Sequence, residues 1–222
     1  MSFTGSFVLG RAELPLTRFE PLRRWDPELG GIDDDGWQVL AIAARATPSR
    51  CGADTFGQLR AIRAMLVVET SAPVLVATIG TSAVAVLEAS SPNGADWATM
   101  LYAAAMARTL DTSAMHDADN PESGFASPEY LAPVIAKWAG ETGRPAADAH
   151  RVETTLKELN ENSGPAACNS AGIGEGALSE PVAGLIPATA EAKVARLLDS
   201  AGLAPAPLAG TKWAVAADAV RH

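Results

Sequence analysis

Proton-transferring side chains are few and unevenly spread in this chain of 222 residues with 3 His. The densest group is Met115-His116-Asp117-Ala118-Asp119-Asn120-Pro121-Glu122. An imidazole beside a carboxylate has its tautomer held and its pKa raised, which is what a general base near neutrality needs. His116 and Asp117 are therefore candidate catalytic residues, with Asp119, Glu122 and Phe125 as candidate substrate contacts. The competing reading is a solvated acidic loop, because Asp, Asn and Pro favour turns for conformational reasons alone. His150 attracts less interest, since it falls in an amphipathic segment beside Arg151, where an exposed His is routine.

Glu88 is the third catalytic candidate. In a strand over 83–89, Val84, Val86 and Glu88 share a face, and a core-directed face would desolvate the carboxylate and raise its pKa. The alternative is a strand-end Glu that reaches water. Trp25 stands in a loop with Arg23, Arg24 and Asp26, away from any apolar stripe, and so suits the wall of a ligand pocket or an interface. Trp37, Trp97 and Trp138 fall on apolar stripes and read as core.

No cofactor is expected. Gly172-Ile173-Gly174-Glu175-Gly176 lacks the preceding strand, the third Gly and the following helix of a dinucleotide fingerprint, and no phosphate-loop Lys is present. Nicotinamide, flavin, nucleotide and structural zinc are thus set aside, and no metal is expected. The oxygen ligands around His116 lack the Gly and the terminal acid of a calcium loop. Asp33-Asp34-Asp35 reads as an exposed acidic turn. Cys51 and Cys168, far apart and without a CxxC pattern, read as free thiols.

Lys and Arg number 17 against 26 Asp and Glu, giving a formal net charge of −9. That balance opposes a grip on nucleic acid, which rests on basic residues neutralising phosphates. Thr70–Leu87 carries no charge over 18 residues, long enough to raise the question of a membrane span, yet Pro73 and the Gly80-Thr81-Ser82 break describe a hairpin. No membrane partner is expected. Met1–Gly10 has no basic start and no long apolar run, so no cleaved secretory signal is expected and the expected compartment is the cytoplasm.

The elements that must position these residues follow from periodicity. Phe3–Leu9 and Trp37–Ile42 read as strands, and Leu14–Asp35 between them as loop. A helix capped by Asp54 or Thr55 carries Leu59, Ile62, Met65 and Leu66, with Arg60 and Arg63 on its other side. Val74–Ile79 and Ala83–Ala89 form a hairpin. From Pro92 the pattern turns helical: Trp97, Met100, Leu101, Ala104, Ala105 and Arg108 recur at helical spacing, and further helices centre on 131–138, 152–159 and 194–201. The segment 166–184 reads as a long Gly/Ala/Ser loop, and Thr211–Ala216 as an edge strand.

These elements fit a single α+β domain over 1–222, strand-rich over 1–92 and helix-rich over 93–222, in which a mainly antiparallel sheet packs against C-terminal helices. Two functions are compatible with it. One is a cofactor-independent enzyme on a small organic molecule, a cyclase of specialised metabolism with Pictet-Spengler-type or aldol-type ring closure, or an isomerase. The other is a non-catalytic binding protein, acting as an immunity factor, inhibitor or assembly partner, whose acidic or apolar surface meets a basic partner. A homo-oligomer is compatible with either. A closed apolar pocket with a perturbed carboxylate would favour the first, and an exposed apolar or acidic patch the second.

Overall fold

The hairpin read from the sequence over Val74–Ile79 and Ala83–Ala89 supplies two adjoining strands of a six-stranded sheet. The computed structural model describes residues 5–23, 25–33, 35–43, 53–80, 84–102, 126–143, 147–161 and 190–203. Its strands are β1 (Gly5–Arg11), β2 (Glu28–Ile32), β3 (Trp37–Ala43), β4 (Val74–Gly80), β5 (Val84–Ser90) and β6 (Trp97–Tyr102). They lie in the order β2-β3-β1-β4-β5-β6, every neighbouring pair antiparallel. The helices are α1 (Glu20–Arg23), α2 (Ala53–Thr70), α3 (Pro128–Gly140), α4 (Ala149–Glu161) and α5 (Ala190–Ser200). The α+β class therefore holds, with an antiparallel sheet from the N-terminal half and helices in the C-terminal half.

Both sheet faces are covered, which the expected single helical layer did not include. Phe7, Leu9, Trp37, Val39, Leu75, Leu87, Trp97 and Leu101 point to one face and pack against α3, α4 and α5. Val8, Leu40, Ile42, Val74 and Val76 point to the other and meet Ile62 and Leu66 of α2, together with Leu16 and Leu22. Two hydrophobic layers result, as alternation along each strand requires. On the larger side Trp97 and Trp138 meet edge to face at 5.7 Å and 84°, and Trp138 Nε1 donates to Ser90 O at 3.0 Å.

Two expected elements are corrected. Residues 97–102 form β6, not the start of a helix. Its apolar residues fit either period. Pairing with β5 decides the outcome, putting Trp97, Thr99 and Leu101 on the helical face and leaving Ala98 and Met100 half-buried opposite. The sheet thus runs on past the expected boundary at residue 92. Leu14–Asp35 is likewise not one loop, since it holds a 3-10 turn at Leu16–Arg18, then α1 and β2. Gly30-Gly31 hides β2 from propensity, and the open edge of β3 supplies its partner.

The end signals of α3 and α5 are as read, whereas α2 starts at Ala53, so Asp54 and Thr55 lie inside it instead of capping it. Ser127 precedes Pro128 at the start of α3, and Gly202, at φ +74°, closes α5 with Leu203 N donating to Leu198 O at 2.9 Å. The 166–184 loop, the Thr211–Ala216 strand, Cys51 and Cys168 lie outside the described residues.

Candidate functional site

Cross-strand register assembles the α2 side of the sheet row by row. Leu29, Leu40, Val8, Val76, Glu88 and Ala98 pair in sequence from β2 to β6, a single row across all six strands. Glu88 is the row's one charged residue and is 8% exposed. It is core-directed, as one sequence reading required, and it is met there by two cations.

Arg60 donates Nε and Nη2 to Glu88 Oε1 at 2.9 and 2.6 Å, and Arg63 Nη1 lies 3.9 Å from Oε2. The two Arg sit three apart on α2, so one helix face delivers both to the carboxylate. The sequence had placed them on the solvent side. Arg63 is instead nearly buried, and Met65 takes the exposed position. Burial lowers the Arg63 pKa from its usual value, with Glu88 and Asp96 opposing that shift and Arg60 adding to it. Its Nε has no hydrogen-bond partner among the described residues. With both oxygens facing guanidinium groups, Glu88 has the surroundings of a counter-ion.

The other sequence-predicted site residues divide sharply. Trp25 is half-buried three residues before β2, packed against the α2-side cluster. Three strands separate β2 from β5, about 19 Å at the usual strand spacing, so two ends of the sheet are involved rather than one pocket. His116, Asp117, Asp119, Glu122 and Phe125 lie outside the described residues. The last described residue before their segment is Tyr102, which pairs with Val84, four positions or about 14 Å along β5 from Glu88. His150 stands exposed at the start of α4, its amide capped by Asp148 Oδ1 at 3.0 Å.

Residues that attracted no attention in the sequence shape the β2 end. Gln38, 2% exposed, accepts from Leu16 N at 2.7 Å and donates to Ala12 O and Leu14 O at 3.1 and 3.0 Å. It pins the 12–16 segment across the same sheet face that carries Ile32, its partner in β2. Beside that clamp, Leu14, Leu29 and Ile32 are 55%, 43% and 53% exposed. Leu29 and Ile32 are three apart, yet they share a face because the register shifts between Leu29 and Gly31. A Gln in an otherwise apolar strand was the available signal.

Elsewhere, a cavity of about 350 Å³ between α4 and α5 is lined by Arg151, Thr154, Glu158, Arg196 and Asp199. Its charges cancel, because Arg151 pairs with Asp199 at 2.8 Å and Arg196 with Glu158. Lys193, 2% exposed, donates Nζ to Leu159 O at 2.8 Å in the last turn of α4, and burial lowers its pKa to about 8. Among the described residues no three His, Cys, Asp or Glu side chains converge to hold a metal ion, and no helix is long and apolar enough to cross a membrane. Compared with family models, curated protein sequences and solved structures, the chain matches none.

Proposed function

We propose that this chain is a non-catalytic binding protein, an assembly partner, inhibitor or immunity factor that meets a basic partner with an acidic and apolar surface. The observation that carries this reading is the exposure of Leu14, Leu29 and Ile32 together at the β2 end of the sheet. Exposed apolar groups that share one face and are ringed by charge mark interaction surfaces. The stretch 25–37, which holds Leu29 and Ile32, carries five Asp and Glu and no Lys or Arg, which favours a partner of positive charge.

A photo-crosslinking amino acid at position 32, and as a control at exposed Tyr130 on α3, tests this in the cell of origin. The expected result is one discrete adduct with a basic protein from position 32 alone. That protein, purified, should bind the wild-type chain and lose about tenfold or more in affinity to Ile32→Lys. Equal adducts from both positions, or an affinity indifferent to Ile32→Lys, overturn the reading.

The second reading is the cofactor-independent enzyme, and the burial of Glu88 beneath α2 is what favours it. In that reading His116, Asp117 and Glu88 move protons and Asp119, Glu122 and Phe125 contact a small organic substrate, while Trp25, at the other end of the sheet from Glu88, drops out of the site. No cofactor enters it, and the compartment is the cytoplasm. His116→Ala would lower turnover about 10²-fold with thermal stability unchanged. Unchanged turnover would remove it.

A further inference from the structure

We propose that the outer edge of β2 is a strand-addition site, taking an extended segment of the partner protein that carries basic residues at its two ends. This deepens the binding reading above and rests on it. Asp33 donates its amide to Trp37 O at 2.9 Å, so by ladder alternation the neighbouring Ile32 turns its N–H and C=O away from β3. On that outer side β2 pairs with no strand among the described residues. Leu29 and Ile32 offer their side chains on one face of this edge, and Gly30-Gly31 between them presents no Cβ to an incoming chain. Backbone groups would supply the affinity, and alternate side chains resting on Leu29, Ile32 and Leu14 the selectivity.

Charge chooses the occupant. Natural edges are blunted by inward charges or Lys along the strand, whereas here the acids stand at the ends, Asp26 and Glu28 before the apolar stretch and Asp33 and Asp35 after it. A second copy adding antiparallel to β2 would bring Glu28 across from the Asp33 end of its partner, and a parallel copy would align the same acids side by side. Like charges opposed across a ladder destabilise it. An extended segment with Lys or Arg at its ends and apolar residues between meets each of these groups with its complement.

The probe is a short synthetic peptide of alternating Val and Thr with Lys at both ends, titrated into the isotope-labelled full chain. Amide shifts should be confined to residues 28–33 and the adjoining part of β3, and the Ile32 amide should exchange about tenfold more slowly. A Glu-ended version should bind about tenfold more weakly, and a version N-methylated on the amides facing β2 should not bind. Ile32→Lys, at an exposed position, should abolish binding with the amide spectrum otherwise intact. Shifts spread over α2 or α3–α5, or equal binding of the Glu-ended peptide, overturn the proposal. So does a dimer in sedimentation that Ile32→Lys dissolves, which would give the edge to a second copy. If the crosslinked partner binds at position 32 while the Ile32 amide exchanges as fast as in the free chain, strand addition falls and the binding reading stands. Peptide binding without any partner adduct overturns both.

Discussion

Glu88 and Lys193 are buried charged side chains among the described residues, and they differ in what compensates them. For Glu88 it is a pair of guanidinium groups, one of them more than half exposed on its side chain. Removing the carboxylate strands Arg63 in the interior, which costs several kcal/mol in fully buried pairs and less where a partner reaches water. Glu88→Gln should therefore lower unfolding free energy by about 2 kcal/mol in urea titrations, and Glu88→Leu with Arg63→Met should recover most of it. A Glu88→Gln chain as stable as wild type would show the ion pair to be idle. Lys193 Nζ donates to the Leu159 carbonyl, and its folded pKa near 8, lowered by burial, lies below the ordinary 10.5. Between those values the unfolded chain holds a proton that the folded chain has lost, so this group's contribution to stability rises with pH across the window. The wild-type minus Lys193→Met stability difference should climb from pH 8 to pH 10.5 and be flat below pH 8. A difference constant with pH would place the ammonium in contact with water.

At the level of elements, the helical layer is held by a small number of directional contacts on a broad apolar base. Trp138 ties α3 to the end of β5 through its indole N–H, and Trp97 of β6 meets it edge to face. Trp138→Phe leaves Ser90 O without that donor and opens a gap, so a loss of about 2 kcal/mol is expected from denaturant unfolding. Gly202 ends α5 at a φ that L residues adopt with strain, and Gly202→Ala should cost about 1 kcal/mol in the same measurement. The α3–α4 contact also carries a charge clasp, in which Lys157 reaches Glu129 at 2.9 Å and Glu153 at 2.6 Å. The Lys157 bond is the largest cause holding the Glu129 carboxyl down to about 2, and the Lys157 pKa is raised in return, chiefly by Glu153. This clasp helps above the ordinary carboxylate range and is lost as pH falls toward 2, so Lys157→Met should flatten part of the acid unfolding curve between those limits.

For the whole molecule, the net charge of −9 concerns association more than folding. Binding of a basic partner at β2 should slow as salt rises, with most of the change in the association rate over about 50–300 mM, because screening acts on the approach of exposed charges. A salt-independent rate measured by stopped flow would leave the acidic rim without a role. Much of the architecture was legible because it is local: the β4–β5 hairpin, the Ser127-Pro128 start, the stripes of Leu131, Ile135 and Trp138 and of Val194, Leu197 and Leu198, and the Gly202 stop all depend on neighbours within a turn or two. Of the candidate site, Glu88 and its face could be read from alternation, and Trp25 from its lack of a stripe. What covers or pairs them could not. Residues 97–102 satisfy both periods, and the open edge of β5 makes them a strand. Glu28–Ile32 has Gly at its middle, and the edge of β3 recruits it. Arg63 turns inward because Glu88 lies beneath α2, and Gln38 is buried because three backbone groups from 12–16 satisfy it. Local sequence thus determined which segments could become helix or strand and where they stop, since those preferences are set by bonds within a few residues. Tertiary structure alone decided which charges met and what satisfies Gln38, because those outcomes depend on pairings between residues 22 to 28 positions apart, whose energy appears only once the chain has closed on itself.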